Sequence, residues 1–253
     1  METSTPTPVG TATPMSFTDK LVNIFTSPGE LYDNVRDTPP TASNWLIPAI
    51  IFLVVSIVMH FVAMNNPSIA DQTGAMMRKG MDEAVAQGKM TAEQAERSYE
   101  MMRPGSPVFT AMAVGGTLVM TFGALFGLGL VYWLVGKGAM SATAPFMKVV
   151  EVVGLTLLIG TLEVIVTSVM IIGLDRVTAT PSAAFFISNF DFTNKVHMLL
   201  AKVNLFTLWT LIVTSIGLSR LFRKDFPKVL VLVLVLWILW IAITVFAGCA
   251  PGQ

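Results

Sequence analysis

The 253-residue sequence is poor in the residues from which chemical sites are built. It holds one cysteine, Cys249, and two histidines, His60 and His197. A single thiol excludes an internal disulfide, and neither histidine has a partner at metal-ligand spacing, so no cofactor or metal is expected. Charge is scarce too: Asp, Glu, Lys and Arg make up 13% of the chain, where an ordinary soluble domain carries about 25%. The 16 basic and 16 acidic residues cancel, leaving no footprint for nucleic acid. No internal repeat is found, which removes the usual signature of transporters built from matching halves. No pair of catalytic groups falls at one depth, so no catalytic residue is expected and the chain does not read as an enzyme.

What the sequence has in excess is apolar residue, 53% of the chain, with a mean hydropathy of +0.69. The charges cluster between long uncharged runs, each about the length needed to span a hydrocarbon core. This predicts an all-α polytopic integral membrane protein whose first partner is the lipid bilayer. Five spans are expected, over about 45–63, 108–135, 149–174, 203–219 and 229–250. Residues 1–16 are Thr- and Pro-rich and lack the basic and apolar regions of a signal peptide, so they read as a disordered tail. Near the other end, Phe246 to Cys249 loosely imitate a lipoprotein cleavage box, but such a box follows an N-terminal signal; Cys249 reads as a thiol near the membrane surface.

Two further segments stand outside the spans. Phe17 to Val35 sets Leu21, Val22, Ile24, Phe25, Leu31 and Val35 among polar residues and is interrupted at Ser27, Pro28 and Gly29. It reads as two short amphipathic turns lying on the membrane surface, not as a span. Residues 65–107 read as an extramembrane helical hairpin, with helices over Thr73 to Ala86 and Thr91 to Met102. Gly88 and Lys89 make its turn, and Thr91 with Gln94 forms a capping box. Met76, Met77, Met81, Met90, Met101 and Met102 gather in this hairpin; methionine fills gaps readily, so packing explains them better than binding does. With five spans, the short loop from Arg220 to Lys228 shares a side with the N-terminus and packs four cations into a few residues. The positive-inside rule then makes the N-terminus cytoplasmic.

At the fourth and fifth spans a familiar pattern emerges. Val203-Asn204-Leu205-Phe206-Thr207-Leu208-Trp209 runs on through Ser215-Ile216-Gly217-Leu218 into a short basic loop, then Lys228 and an apolar run with Trp237 and Trp240. This resembles the C-terminal half of the Yip-domain family, five-span membrane proteins whose eukaryotic members interact with Rab-type GTPases. Ile24-Phe25-Thr26-Ser27-Pro28 resembles the opening of bacterial members. The likeness covers about Phe17 to the end, with the hairpin outside the common core, and makes 17–250 a Yip-like membrane domain. It implies a non-enzymatic interaction or membrane-organising role in a bacterial cytoplasmic membrane, with protein partners or a second copy as candidate company. The Asp-Leu-x-Gly-Pro type segment of eukaryotic members is absent, so small-GTPase interaction is not carried over.

Among individual residues, Glu163 is the sharpest, because an ionisable group within a span costs about 2.5–3.5 kcal/mol on insertion scales and turns toward protein or water. Thr167 lies one turn away on its face, and Asn204 and Thr207 are offered by the fourth span as hydrogen-bond partners. A structural contact between helices is the leading expectation; a small transporter or channel component using Glu163 is the alternative. Glu151 lies about 18 Å from Glu163 along a helix and is expected at the interface beside Lys148. Gly123 and Gly127 form a small-residue stripe for close helix packing, inside the chain or between copies.

Overall fold

The computed structural model describes residues 13–188, 190–191 and 194–246. The expected tail falls outside these residues up to position 12, as does Cys249. Residues 13–16 are held in place. The Met15 N–H donates to Asn34 Oδ1 at 3.0 Å, and Asn34 Nδ2 donates to the Thr13 carbonyl at 2.9 Å.

Ten α-helices follow one another among the described residues: α1 (Phe17–Thr26), α2 (Pro28–Asp37), α3 (Ser43–Met64), α4 (Pro67–Ala86), α5 (Ala92–Met102), α6 (Pro107–Met140), α7 (Phe146–Gly173), α8 (Lys195–Lys202), α9 (Leu205–Phe222) and α10 (Phe226–Phe246). Five of them, α3, α6, α7, α9 and α10, are long and apolar enough to cross a membrane. The fold is thus the all-helical, five-span architecture that the uncharged runs require. Local chemistry sets the boundaries. Ser16, Asn66, Ser106, Asn194 and Asn204 each accept a backbone N–H of the helix they precede, and proline opens α2, α4 and α6, where its missing N–H costs nothing. Thr91 and Gln94 form the expected capping box at α5. Ser141 and Arg223 take left-handed conformations where α6 and α9 end.

Helix α7 is the centre of the bundle and packs on α3, α6 and α9, with α10 against α9. Helices α1 and α2 lie across one end, α2 against α9 and α7, α1 against α7. Glycines permit the closest approaches. A Cβ on Gly154 of α7 would overlap the Trp45 backbone and Cβ of α3. One on Gly136 of α6 would sit 2.5 Å from the Phe222 ring, and one on Gly217 of α9 would press on Val152 and Tyr32. At the opposite end, α4 and α5 pair, with Arg78 stacked 4.2 Å over the Tyr99 ring. Ser68 and Gln72 of α4 tie the hairpin to the connection after α7 through Asp175.

Candidate functional site

The densest polar arrangement lies under the α1–α2 end. The spacing of α1 turns Lys20 and Ile24 inward together, one turn apart, and both are buried. Lys20 Nζ donates to Asn44 Oδ1 at 2.8 Å, and Asn44 Nδ2 donates to Glu151 Oε2 at 2.7 Å. The other Glu151 oxygen accepts the Thr41 N–H at 2.8 Å, and Lys148 Nζ donates to Glu151 Oε2 at 3.2 Å and to the Val35 carbonyl. Lys20, Asn44, Lys148 and Glu151 are all buried, at 5%, 0%, 3% and 0% exposure. Burial pulls the Lys20 ammonium below the ordinary lysine range; the Glu151 charge works against that shift and the Lys148 charge with it. Each Glu151 oxygen is engaged, and one carboxylate joins α1, the α2–α3 connection, α3 and α7. Breaking such a buried pair is far costlier than never having it, so the cluster works as a clamp. Its place near the start of a span suggests an interfacial Glu151, but the amphipathic helices cover it.

Tyr32 anchors α2 beside the clamp. Its hydroxyl donates to the Val152 carbonyl at 3.3 Å, and complete burial of the ring raises its pKa. On the outer side of the same plate, Leu21 and Val22 of α1 stand exposed, at 39% and 52%. The plate therefore has a clamped inner face and an outer one on which Leu21 and Val22 stand among the exposed Thr18, Asp19, Thr26, Glu30 and Asp37.

The intramembrane residues singled out from sequence meet only in part. Glu163 is the eighteenth residue of the 28 in α7, level with the start of α9, not its middle. There Asn204 Nδ2 donates to Glu163 Oε1 at 2.7 Å while Asn204 Oδ1 accepts the Phe206 N–H at 2.8 Å. One buried asparagine thus caps α9 and ties it to α7. Among the described residues, neither Thr167 nor Thr207 hydrogen-bonds Glu163. Asn204 also pairs with Ser182 in an isolated antiparallel bridge, which folds the connection after α7 back onto the helix start.

Comparison with known families decides the membership. The model of the Yip1 domain matches residues 22–247, nearly the whole chain and all five membrane-spanning helices. The chain belongs to the Yip1-domain family. No curated protein and no solved structure matches it. The family assignment makes it a multi-pass membrane protein of the Yip type.

Within this Yip1 domain, the glycine stripe lies away from the bundle. A Cβ on Gly123 or Gly127 would meet nothing within 4 Å, and the same holds for Gly115 and Gly116. Gly129, Gly136, Gly154 and Gly217 are among the glycines that pack inside the chain. His60 lies beside the Phe109 ring, while His197 Nδ1 accepts the Asp191 N–H at 3.0 Å. No group of His, Cys, Asp or Glu able to hold a metal occurs among the described residues. The clamp was the arrangement hidden from sequence. Its only signals were the i, i+3 spacing of Lys148 and Glu151 and a lysine on the inward face of an amphipathic helix.

Proposed function

We propose that this protein is a non-enzymatic membrane-organising factor of a bacterial cytoplasmic membrane, working through its α1–α2 plate on the cytoplasmic face. The observation that carries this reading is the plate itself, clamped to the bundle through Glu151 while exposing Leu21 and Val22. An amphipathic helix held rigidly at headgroup depth enters only one leaflet. Wedging one leaflet favours curvature, and a plate joined to five spans cannot detach. The cytoplasmic assignment rests on the cations between Arg220 and Lys228, which share the plate's side. Reporter domains attached at Thr5 and after Gln253 check it: they should report opposite compartments, the first cytoplasmic.

The functional test is reconstitution of the full chain into vesicles at graded density, with shapes measured by cryo-electron microscopy. Vesicle diameter should fall as protein density rises, and a Leu21→Ser, Val22→Ser double variant should lose most of that effect. Unchanged vesicles, together with a pH-dependent cation flux abolished by Glu163→Gln, would replace this reading with the transporter alternative.

A further inference from the structure

The plate's side of the molecule carries a second feature. Where the last turn of α9 and the α9–α10 connection pass α2, an open cleft of about 590 Å³ lies between Gly29, Arg36, Ser219, Arg220, Arg223, Lys224 and Asp225, with Ile216 and Phe226 also lining it. Its volume falls within the roughly 300–1,000 Å³ of small-molecule sites. Four cations line it against one carboxylate, Asp225, which Lys228 engages at 2.7 Å.

The cations divide by availability. Arg36 is occupied, with both ends of its fork on Asp37 and a third bond to Asp33 at 2.6 Å. Arg220 stands 3.6 Å from the same Asp33, with its side chain half exposed, and its guanidinium lies against Gly29, where a Cβ would come within 3.4 Å of Nη2. Among the described residues, Arg223 and Lys224 have no carboxylate within 4.0 Å. The left-handed backbone at Arg223, φ 54° and ψ 46°, ends α9 and begins the connection to α10. One arginine is thus positioned by α2, and the two further cations next to it make no close ion pair, acting on Asp37 and Asp225 only at longer range.

The apolar lining decides what kind of anion fits. Ile216 lies one turn into α9 from Arg220, deeper in the span than the cations, and Phe226 is the first residue of α10, level with the connection. A cationic rim with Ile216 deeper and Phe226 beside it, at the ends of two spans, matches an amphiphile: phosphate at the rim, acyl chain running past Ile216. Basic pockets between membrane helices at the cytoplasmic surface suit such headgroups.

We propose that this cleft is a binding site for the phosphate group of an anionic phospholipid, held by Arg220, Arg223 and Lys224. The proposal stands apart from the membrane-organising reading, because binding can occur whether or not vesicles change shape. The test is native mass spectrometry of the full-length protein in detergent, titrated separately with phosphatidylglycerol, phosphatidylcholine and inorganic phosphate. Phosphatidylglycerol should be retained over phosphatidylcholine, and Arg223→Gln with Lys224→Gln should weaken its retention by roughly tenfold to thirtyfold, given about 1 kcal/mol per surface cation. Lys137→Gln, which removes a cation on the same side outside the cleft, should leave retention unchanged. A thermal melt of each variant separates lost binding from lost folding, and Lys224→Gln alone, a change at an exposed side chain, repeats the test where the double variant does not fold. Equal retention of the two lipids, or retention indifferent to both cleft variants, overturns the proposal. Displacement of phosphatidylglycerol by inorganic phosphate at matching concentration also overturns it, making the cleft a site for soluble phosphate.

Discussion

The two halves of α7 live in different surroundings. From Lys148 to Thr161 the helix is buried at almost every position, including a lysine and a glutamate; from Leu162 to Gly173 no residue is buried. Its neighbours follow the same division. The buried residues of α9 beyond Phe206 run from Leu211 to Phe222, and α6 has none before Thr121. The close glycine contacts at Gly136, Gly154 and Gly217 all belong to the α1–α2 half. In lipid there is no gain from hiding one apolar helix against another, so tight association comes from small residues and polar contacts. The bundle is therefore most compact where its charges are, and looser toward the hairpin.

This contrast is broken most severely at Glu151. Replacing it with leucine leaves the Lys148 ammonium, the Asn44 amide and the Thr41 N–H without their shared acceptor in a buried site. Loss of one partner of a buried ion pair costs about 3–5 kcal/mol. Glu151→Leu should lower the melting temperature in detergent more than any other single change at a polar residue, and hydrogen exchange should show α1 and α2 opening first. A stable variant with a protected plate would mean that Tyr32 and the apolar contacts hold α2 without the clamp.

Next come the glycines, which sharpen the same comparison. Gly154→Ala places a methyl onto the Trp45 backbone, where nothing flexible can yield, so helix α3 must shift; overpacking of this kind costs about 1–3 kcal/mol. Gly123→Ala and Gly127→Ala meet open space and should leave the stability of the single chain within about 0.5 kcal/mol of the parent. Thermal melts of the three variants side by side give the answer. Equal destabilisation by all three would place Gly123 and Gly127 in a contact between copies.

The spans could be read from the sequence because exclusion of charge from hydrocarbon leaves runs of uniform composition. The Thr91 capping box marked one helix start, and apolar residues set among polar ones marked the amphipathic segment before the first span. The packing inside the bundle was not legible. Gly123 and Gly127 repeat every four residues and satisfy the close-packing pattern, but the pattern does not say which face of α6 meets the bundle; Gly129 meets Phe146 and Val150 of α7, and Gly136 meets Phe222 of α9. The clamp was hidden for a related reason. Glu151 lies near the start of a span beside Lys148, a position that suits an exposed interfacial pair. Only the position of α1 and α2 over the end of α7 turns that pair inward. For Glu163, sequence supplied the correct partner in Asn204, since both are rare polar groups near membrane depth, but not Asn204's second task of capping α9.

The smallest effect should come from Glu163, on the looser half. Its bond to Asn204 uses the carboxyl as an acceptor, and a glutamine carbonyl can accept in its place. Glu163→Gln should therefore melt within about 0.5 kcal/mol of the parent. Glu163→Leu removes the acceptor and leaves the Asn204 amide without it, at a cost of about 0.6–2 kcal/mol, the span of interhelical polar contacts in membranes. Asn204→Ser separates the two roles of that residue: a serine hydroxyl still caps α9 but is too short to reach Glu163. If the contact between α7 and α9 is what counts, Asn204→Ser and Glu163→Leu should destabilise equally, and the two changes together should cost no more than either alone. Additive losses would mean that Glu163 has a partner besides Asn204, and a vesicle flux assay on Glu163→Gln would then decide whether that partner is a moving ion.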